Sequence, residues 1–254
     1  AEGKEPYPRQ TVFISSEGVS RKGIAPFVNE FDLQTGEWRQ SIPLPNRYLP
    51  DEGSQQGIQD NLGLEALTLN TSGSAASFNE PFRLFTATEF ALAQDLDPAE
   101  SDPAIRNRLL HYLIGEDEPV LIAEHLYPLA PPPAGTIAHG LVELLTLDQS
   151  GHFLSVERSF GLAGFNVKIF QIATGGATDT SNTASFRGDI SGINPIQKQL
   201  VLDLKELGLT LDNLEGITLG PRLPDGSQSL ILVSDDNFNE DQVTQFLLFS
   251  LNTN

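Results

Sequence analysis

Apolar and polar residues alternate over short runs along most of the chain, and few stretches place apolar residues three and four apart. That pattern predicts strands and excludes long helices. The runs recur in a fixed order. First comes a glutamate that opens an apolar strand, in Ala1-Glu2-Gly3, Leu64-Glu65-Ala66, Val142-Glu143-Leu144 and Leu214-Glu215-Gly216. A second apolar strand ends in a small or hydroxyl residue and an acid: Ser15-Ser16-Glu17, Ala87-Thr88-Glu89, Ser155-Val156-Glu157 and Ser234-Asp235-Asp236. A third follows at Phe27 to Leu33, Leu109 to Ile114, Asn166 to Ile172 and Gln245 to Leu251. A fourth follows in three of the units, near Glu37 to Ile42, Val120 to Tyr127 and Gln199 to Leu204.

Four antiparallel strands repeated in this way predict an all-β chain, a β-propeller of four-stranded blades. The expected organisation is one propeller domain over residues 1–254, with blades near 1–45, 60–130, 138–204 and 211–254. The opening glutamates lie farther apart than the ~40–50 residues of a compact blade, so each unit must carry loops. Those loops are expected at Ala91 to Ile105, at the triple-proline stretch Pro128 to Gly135, and at Gly175 to Gly188. A parent ring of six blades is expected. Four blades leave a gap in such a ring, so blades before Ala1 are expected to be missing, or a second polypeptide completes it; the absence of Met even at position 1 gives the expectation that the chain has lost its beginning.

In a blade, the start of the first strand and the end of the second lie at one mouth of the channel. Each unit is therefore expected to bring two carboxylates there: Glu2 with Glu17, Glu65 with Glu89, Glu143 with Glu157, and Glu215 with Asp235 or Asp236. Crowded carboxylates repel unless a cation compensates, and a hard ion that takes six to eight oxygens meets that need. Asn213 and Asn237 add neutral oxygens, so calcium is the expected metal. With no Cys and only four His, zinc is disfavoured. Taken singly, any one of these acids reads as a solvated or turn-capping carboxylate; their recurrence in phase is what points to a site. Arg158 is either an anion-binding group or a clamp for its acidic neighbours.

Composition narrows the partners. With 34 acidic and 15 basic residues the formal charge is −19, which leaves no basic stripe for phosphate contacts and excludes a nucleic-acid binder of that kind. No apolar run is long enough to span a membrane as a helix. His139-Gly140 is a weaker candidate for a base near the third unit's mouth, and Ser234 reads as a turn hydroxyl. Gly175-Gly176 lacks the Lys-Ser/Thr of a phosphate loop. Trp38 reads as a hairpin residue packed between blades, and Leu204 to Leu207 as a short helical turn.

Leu211-Asp212-Asn213-Leu214-Glu215-Gly216-Ile217 with Val233-Ser234-Asp235-Asp236-Asn237-Phe238 resembles the phytase-like, "esterase-like activity of phytase" family of exported propeller proteins. Ser15-Ser16-Glu17-Gly18, Gly63-Leu64-Glu65-Ala66-Leu67 and Val156-Glu157-Arg158-Ser159-Phe160 extend the likeness across nearly the whole chain. A more distant similarity is to calcium-dependent lactonase and paraoxonase propellers. The resemblance implies an exported location, in periplasm, lumen or extracellular space, and a hydrolase activity on phosphoesters, carboxylic esters or lactones. The resemblance carries over motif positions only; the paired acids themselves give the expected roles in a metal-dependent hydrolase, with Glu65, Glu143, Glu215 and Asn237 the inner calcium ligands and Glu2, Glu17, Glu89 and Asp236 further candidates. Glu157 or Asp235 is the proton acceptor and Arg158 orients the anion. The competing expectation is a non-catalytic propeller that binds a protein partner and holds calcium for structural reasons.

Overall fold

Short amphipathic runs separated by turn residues build four antiparallel sheets in the computed structural model, which describes residues 10–51, 53, 55–70, 81–97, 104–148 and 150–251. The first sheet holds β1 (Thr11–Ser16), β2 (Phe27–Asp32) and β3 (Trp38–Ser41) in that order. The second holds β4 (Leu64–Asn70), β5 (Phe82–Thr88), β6 (Arg106–Ile114) and β7 (Val120–Pro128). The third holds β8 (Thr136–Thr146), β9 (His152–Gly161), β10 (Gly164–Ala173) and β11 (Gln197–Asp203). The fourth holds β12 (Leu214–Arg222), β13 (Gln228–Ser234) and β14 (Phe246–Leu251). Each sheet is a meander of sequential neighbours, some joined by tight turns such as β9–β10 and others by long insertions such as β10–β11.

The cores lie between sheets. Val28, Tyr48, Leu64, Leu84 and Leu110 fill the space between the first and second. Phe85, Ala87, Leu109, Leu141, Phe153 and Phe170 fill that between the second and third. Val142, Val156, Ile169, Leu214 and Leu232 fill that between the third and fourth. Neighbouring residues such as Leu84 and Phe85 thus face different cores, because side chains alternate across a strand and both faces of the second sheet are buried. The first strands of successive sheets stand side by side: Thr68 Oγ1 on β4 lies 3.3 Å from Thr146 Oγ1 on β8, and Asn70 Nδ2 donates to Asp148 O at 3.0 Å.

Two sequence expectations about this frame are settled by packing. Leu204–Leu207 forms a 3-10 turn whose leading Leu204 is buried. Trp38 is not packed between sheets; it opens the outer strand of the first sheet and is 59% exposed.

The insertion at 175–188 is anchored by charge. Arg108 on β6 is completely buried and donates to both oxygens of Asp95, at 2.6 and 2.9 Å, and to Glu124 Oε1 at 2.5 Å. Glu124 also accepts from Arg47 at 2.6 Å and from the Tyr48 hydroxyl at 2.7 Å. Phe186 lies against the guanidinium, 3.9 Å from carbon to ring centre, and its amide donates to Asp95 at 2.7 Å. Two guanidiniums thus face two carboxylates, with their donors directed at fixed acceptors.

Candidate functional site

A bulge repeated at one end of the second, third and fourth sheets decides which side chains converge. In the second sheet Leu64 opposes Thr88 and Ala66 opposes Ala87, so Glu65 is the extra residue. In the fourth, Leu214 opposes Ser234 and Gly216 opposes Val233, leaving Glu215 in the same role. In the third, Leu141 opposes Glu157 and Glu143 opposes Val156, so the bulged residue is Val142. Glu143 is therefore one residue out of phase with Glu65 and Glu215. By the same register, the residue that follows the cross-strand partner of Leu64, Leu141 and Leu214 is Glu89, Arg158 and Asp235 respectively; Glu89 and Asp235 stand just past their strands and Arg158 within β9. Glu17 holds that place after β1.

Carboxylate oxygens of Glu17, Glu65 and Glu89 lie within 4.8 Å of one another. They can approach because the facing backbone has no side chains. A Cβ on Gly63 would stand 2.5 Å from Glu17 Cα, and one on Gly140 would overlap the Glu89 side chain. Arg158 is the cation of the group. It donates to Glu89 Oε1 at 3.2 Å and closely to Asn213 Oδ1 and Glu215 Oε1, while Asn213 Nδ2 donates to Glu215 Oε1 at 2.7 Å. Burial pushes the carboxyl of Glu65 well above the usual range, and the neighbouring Glu89 pushes it further. Burial also raises Glu89 and Glu17, against the opposing pull of Arg158. Glu65 Oε2 is buried without a hydrogen-bond partner among the described residues.

The remaining sequence candidates stand elsewhere. Glu143 Oε1 accepts from Leu67 N at 3.1 Å and Leu144 N at 2.8 Å, so it satisfies backbone donors between β4 and β8. Its carboxyl is pushed up to about 7 by burial. Glu157 accepts from the Tyr127 hydroxyl at 2.6 Å, from Ala130 N at 3.1 Å and from Lys198 Nζ at 2.5 Å, which commits it to the opposite face of β9 from Arg158. Asp235 is exposed and accepts from Asn237 N at 3.1 Å; Asp236 accepts from Phe238 N at 2.9 Å and Thr244 Oγ1 at 3.1 Å. Asn237 is left-handed, with φ 50, and its amide reaches Gln242 at 3.3 Å. These three shape the β13–β14 turn. Glu2 lies outside the described residues. Both ring nitrogens of His139 are turned to backbone carbonyl oxygens, of Arg158 at 3.2 Å and Ala130 at 2.7 Å, and it is not one of the carboxylate cluster. Ser234 is the turn hydroxyl expected, donating to Val243 O at 2.7 Å.

The different jobs of Glu143 and Glu65 are separable by mutation. Glu143→Ala removes the acceptor of two partly buried amides, Leu67 N and Leu144 N, and is expected to cost about 1–3 kcal/mol. The loss should be the same in calcium and in chelator, by thermal or urea unfolding; a loss confined to the calcium buffer would make Glu143 a ligand.

Sequence reasoning overlooked Gly63 and Gly140 as parts of the site. Their signal was present in the repeat itself: Gly63-Leu64, Gly140-Leu141 and Asn213-Leu214 occupy one position, and they meet Glu17, Glu89 and Arg158 of the preceding sheets.

The family model described as "Phytase-like: Esterase-like activity of phytase" matches residues 1–238. No curated protein and no solved structure matches the chain. Among the described residues no helix is long and apolar enough to cross a membrane.

Proposed function

Because the chain belongs to the phytase-like, esterase-like family, we propose that it is an exported, calcium-dependent hydrolase of small carboxylic esters or lactones. In this reading its sheets are blades of a propeller and its site is the carboxylate cluster at one channel mouth. The observation that carries the reading is the convergence of Glu17, Glu65 and Glu89, with Glu65 Oε2 buried and without a hydrogen-bond partner among the described residues. The donor set is all oxygen and anionic, which suits calcium. Glu17, Glu65 and Glu89 are the residues that would hold it. When bound, such an ion supplies Lewis acidity to a substrate carbonyl or to water.

The chain's own groups do the rest. Arg158, fixed by Asn213 and Glu215, neutralises the edge of the cluster and orients a substrate oxygen there. Proton transfer falls to Glu215, whose side chain is 26% exposed whereas that of Glu89 is 4% exposed. Four carboxylates against one guanidinium leave a net of −3 when all are ionised, and one divalent ion reduces this to −1. A phosphomonoester dianion is then repelled and a neutral ester is not, so carboxylic esters are favoured over phosphoesters.

A second reading, a binding scaffold with structural calcium, is favoured by one observation: Arg158 ties the third sheet to Glu89 of the second and Glu215 of the fourth. Nitrophenyl acetate and nitrophenyl phosphate turnover, each with calcium and with chelator, distinguishes the two. Acetate hydrolysis that chelator abolishes and calcium restores is expected, with little phosphate turnover. Hydrolysis indifferent to chelator would reject the metal role, and calcium binding without turnover of either ester would leave the scaffold.

A further inference from the structure

The place of Glu89 is fixed from two sides. Its backbone is pinned by three strands: Glu89 N donates to Gly63 O at 2.6 Å, and Glu89 O accepts from Leu141 N at 2.9 Å and from the side chain of Asn107 at 2.7 Å. Asn107 is fully buried and also donates to Thr88 O at 2.9 Å, so it occupies both carbonyls where the β5–β6 ladder has run out at Ala87 and Leu109. The side chain of Glu89 then passes across Gly140. A Cβ there would overlap Glu89 Cγ and stand 2.6 Å from Oε1, and it would meet no backbone atom among its nearest neighbours. Gly140 is not in the left-handed region, so alanine suits its backbone. What position 140 lacks room for is a second occupant beside the Glu89 carboxylate.

The equivalent positions support this. At Gly63 the clash would be with the main chain of Glu17, a matter of folding. At Asn213 a side chain is tolerated, and it meets an arginine that it can accept from. We propose that Gly140 is a positioning residue: its missing side chain sets the Glu89 carboxylate beside Glu65 and Arg158, and Asn107 denies the backbone the freedom to relieve a clash there. The proposal rests on reading the cluster as a calcium site.

The test is calcium titration of the full chain by calorimetry, with melting curves in chelator, for wild type, Gly140→Ala, Glu89→Ala and the double variant. Gly140→Ala is expected to weaken calcium binding about 10- to 100-fold, the usual effect of disturbing a ligand's outer support. Its chelator melting temperature should stay within about 2 °C of wild type, because a flexible side chain yields at small cost. In the Glu89→Ala background the same change should alter affinity less than twofold, since the group it displaces is gone. Unchanged affinity in Gly140→Ala, or a melting temperature that falls together with affinity, would overturn the positioning role. Absence of calcium binding by the wild type would overturn the cation reading instead. A crystal structure of Gly140→Ala then decides the positioning role by itself: a Glu89 carboxylate moved off Arg158 upholds it, and one left in place defeats it.

Discussion

Arg108→Met is expected to lower the melting temperature by about 6–20 °C. The substitution keeps a long apolar stem against Phe186 but leaves Asp95 and Glu124 without their shared cation. Breaking a buried ion pair from one side costs about 3–5 kcal/mol, because the stranded charge stays desolvated. At about 2–4 °C per kcal/mol for a chain of this size, the drop follows. Adding Asp95→Asn and Glu124→Gln should recover part of it, since neutral amides tolerate the loss of the guanidinium better than carboxylates do. They will not recover all: Asp95 also holds Phe186 N, and Glu124 also holds Arg47 and Tyr48. A drop under about 2 °C would show that water reaches the pair and that the 175–188 insertion is held by other contacts.

That network was illegible in the sequence for a physical reason. Arg106-Asn107-Arg108 reads as a polar strand opening, and Asp95 belongs to a stretch that composition marks only as an acidic insertion. Their pairing depends on a loop contributed by the next sheet, which no local pattern reports. The four sheets were legible because short apolar runs supply the three cores between them, and strands such as β1 and β14 alternate between more and less exposed positions. The site was legible in part. Glu17, Glu65 and Glu89 stand in phase and come together. Glu143 shares their motif but not their register, since the third sheet places its bulge at Val142, and a one-residue slip sends a side chain to other partners. The same slip explains Glu157: it pairs across from Leu141 as Thr88 does from Leu64, and Arg158 takes the place that Glu89 and Asp235 occupy in their own sheets.

Stability in chelator is expected to fall as pH rises from 6.5 to 8.5, and calcium is expected to cancel the fall. Burial raises Glu65, Glu89 and Glu17, and holds Glu143 at about 7. Carboxyls raised in the fold bind more protons there than in the unfolded chain at any pH between about 4.5 and their folded values. Stability therefore declines as pH climbs through that window. The window above 6.5 is chosen because His111, stacked on Phe85 and pushed down to about 4 by burial, works in the opposite direction below it. Lys198, lowered by burial, works in the opposite direction toward its unfolded value near 10.5. A carboxyl that keeps its proton in the fold costs about 1.4 kcal/mol for each pH unit, so Glu65 alone gives about 3 kcal/mol, or roughly 6–12 °C, across the range. Calcium binds the ionised cluster, so its gain, about 2.7 kcal/mol at a hundredfold excess over Kd, grows over the same range in which protons are lost. Glu65→Gln separates the two effects. Without the buried acid, the chelator melting temperature at pH 8.5 should equal or exceed that of wild type, and added calcium should no longer raise it. Melting temperatures that climb with pH in chelator would mean these carboxyls are solvated and ionised in the fold. A full calcium gain in Glu65→Gln would move the ion away from Glu65 Oε2, the buried oxygen of the cluster that has no hydrogen-bond partner among the described residues.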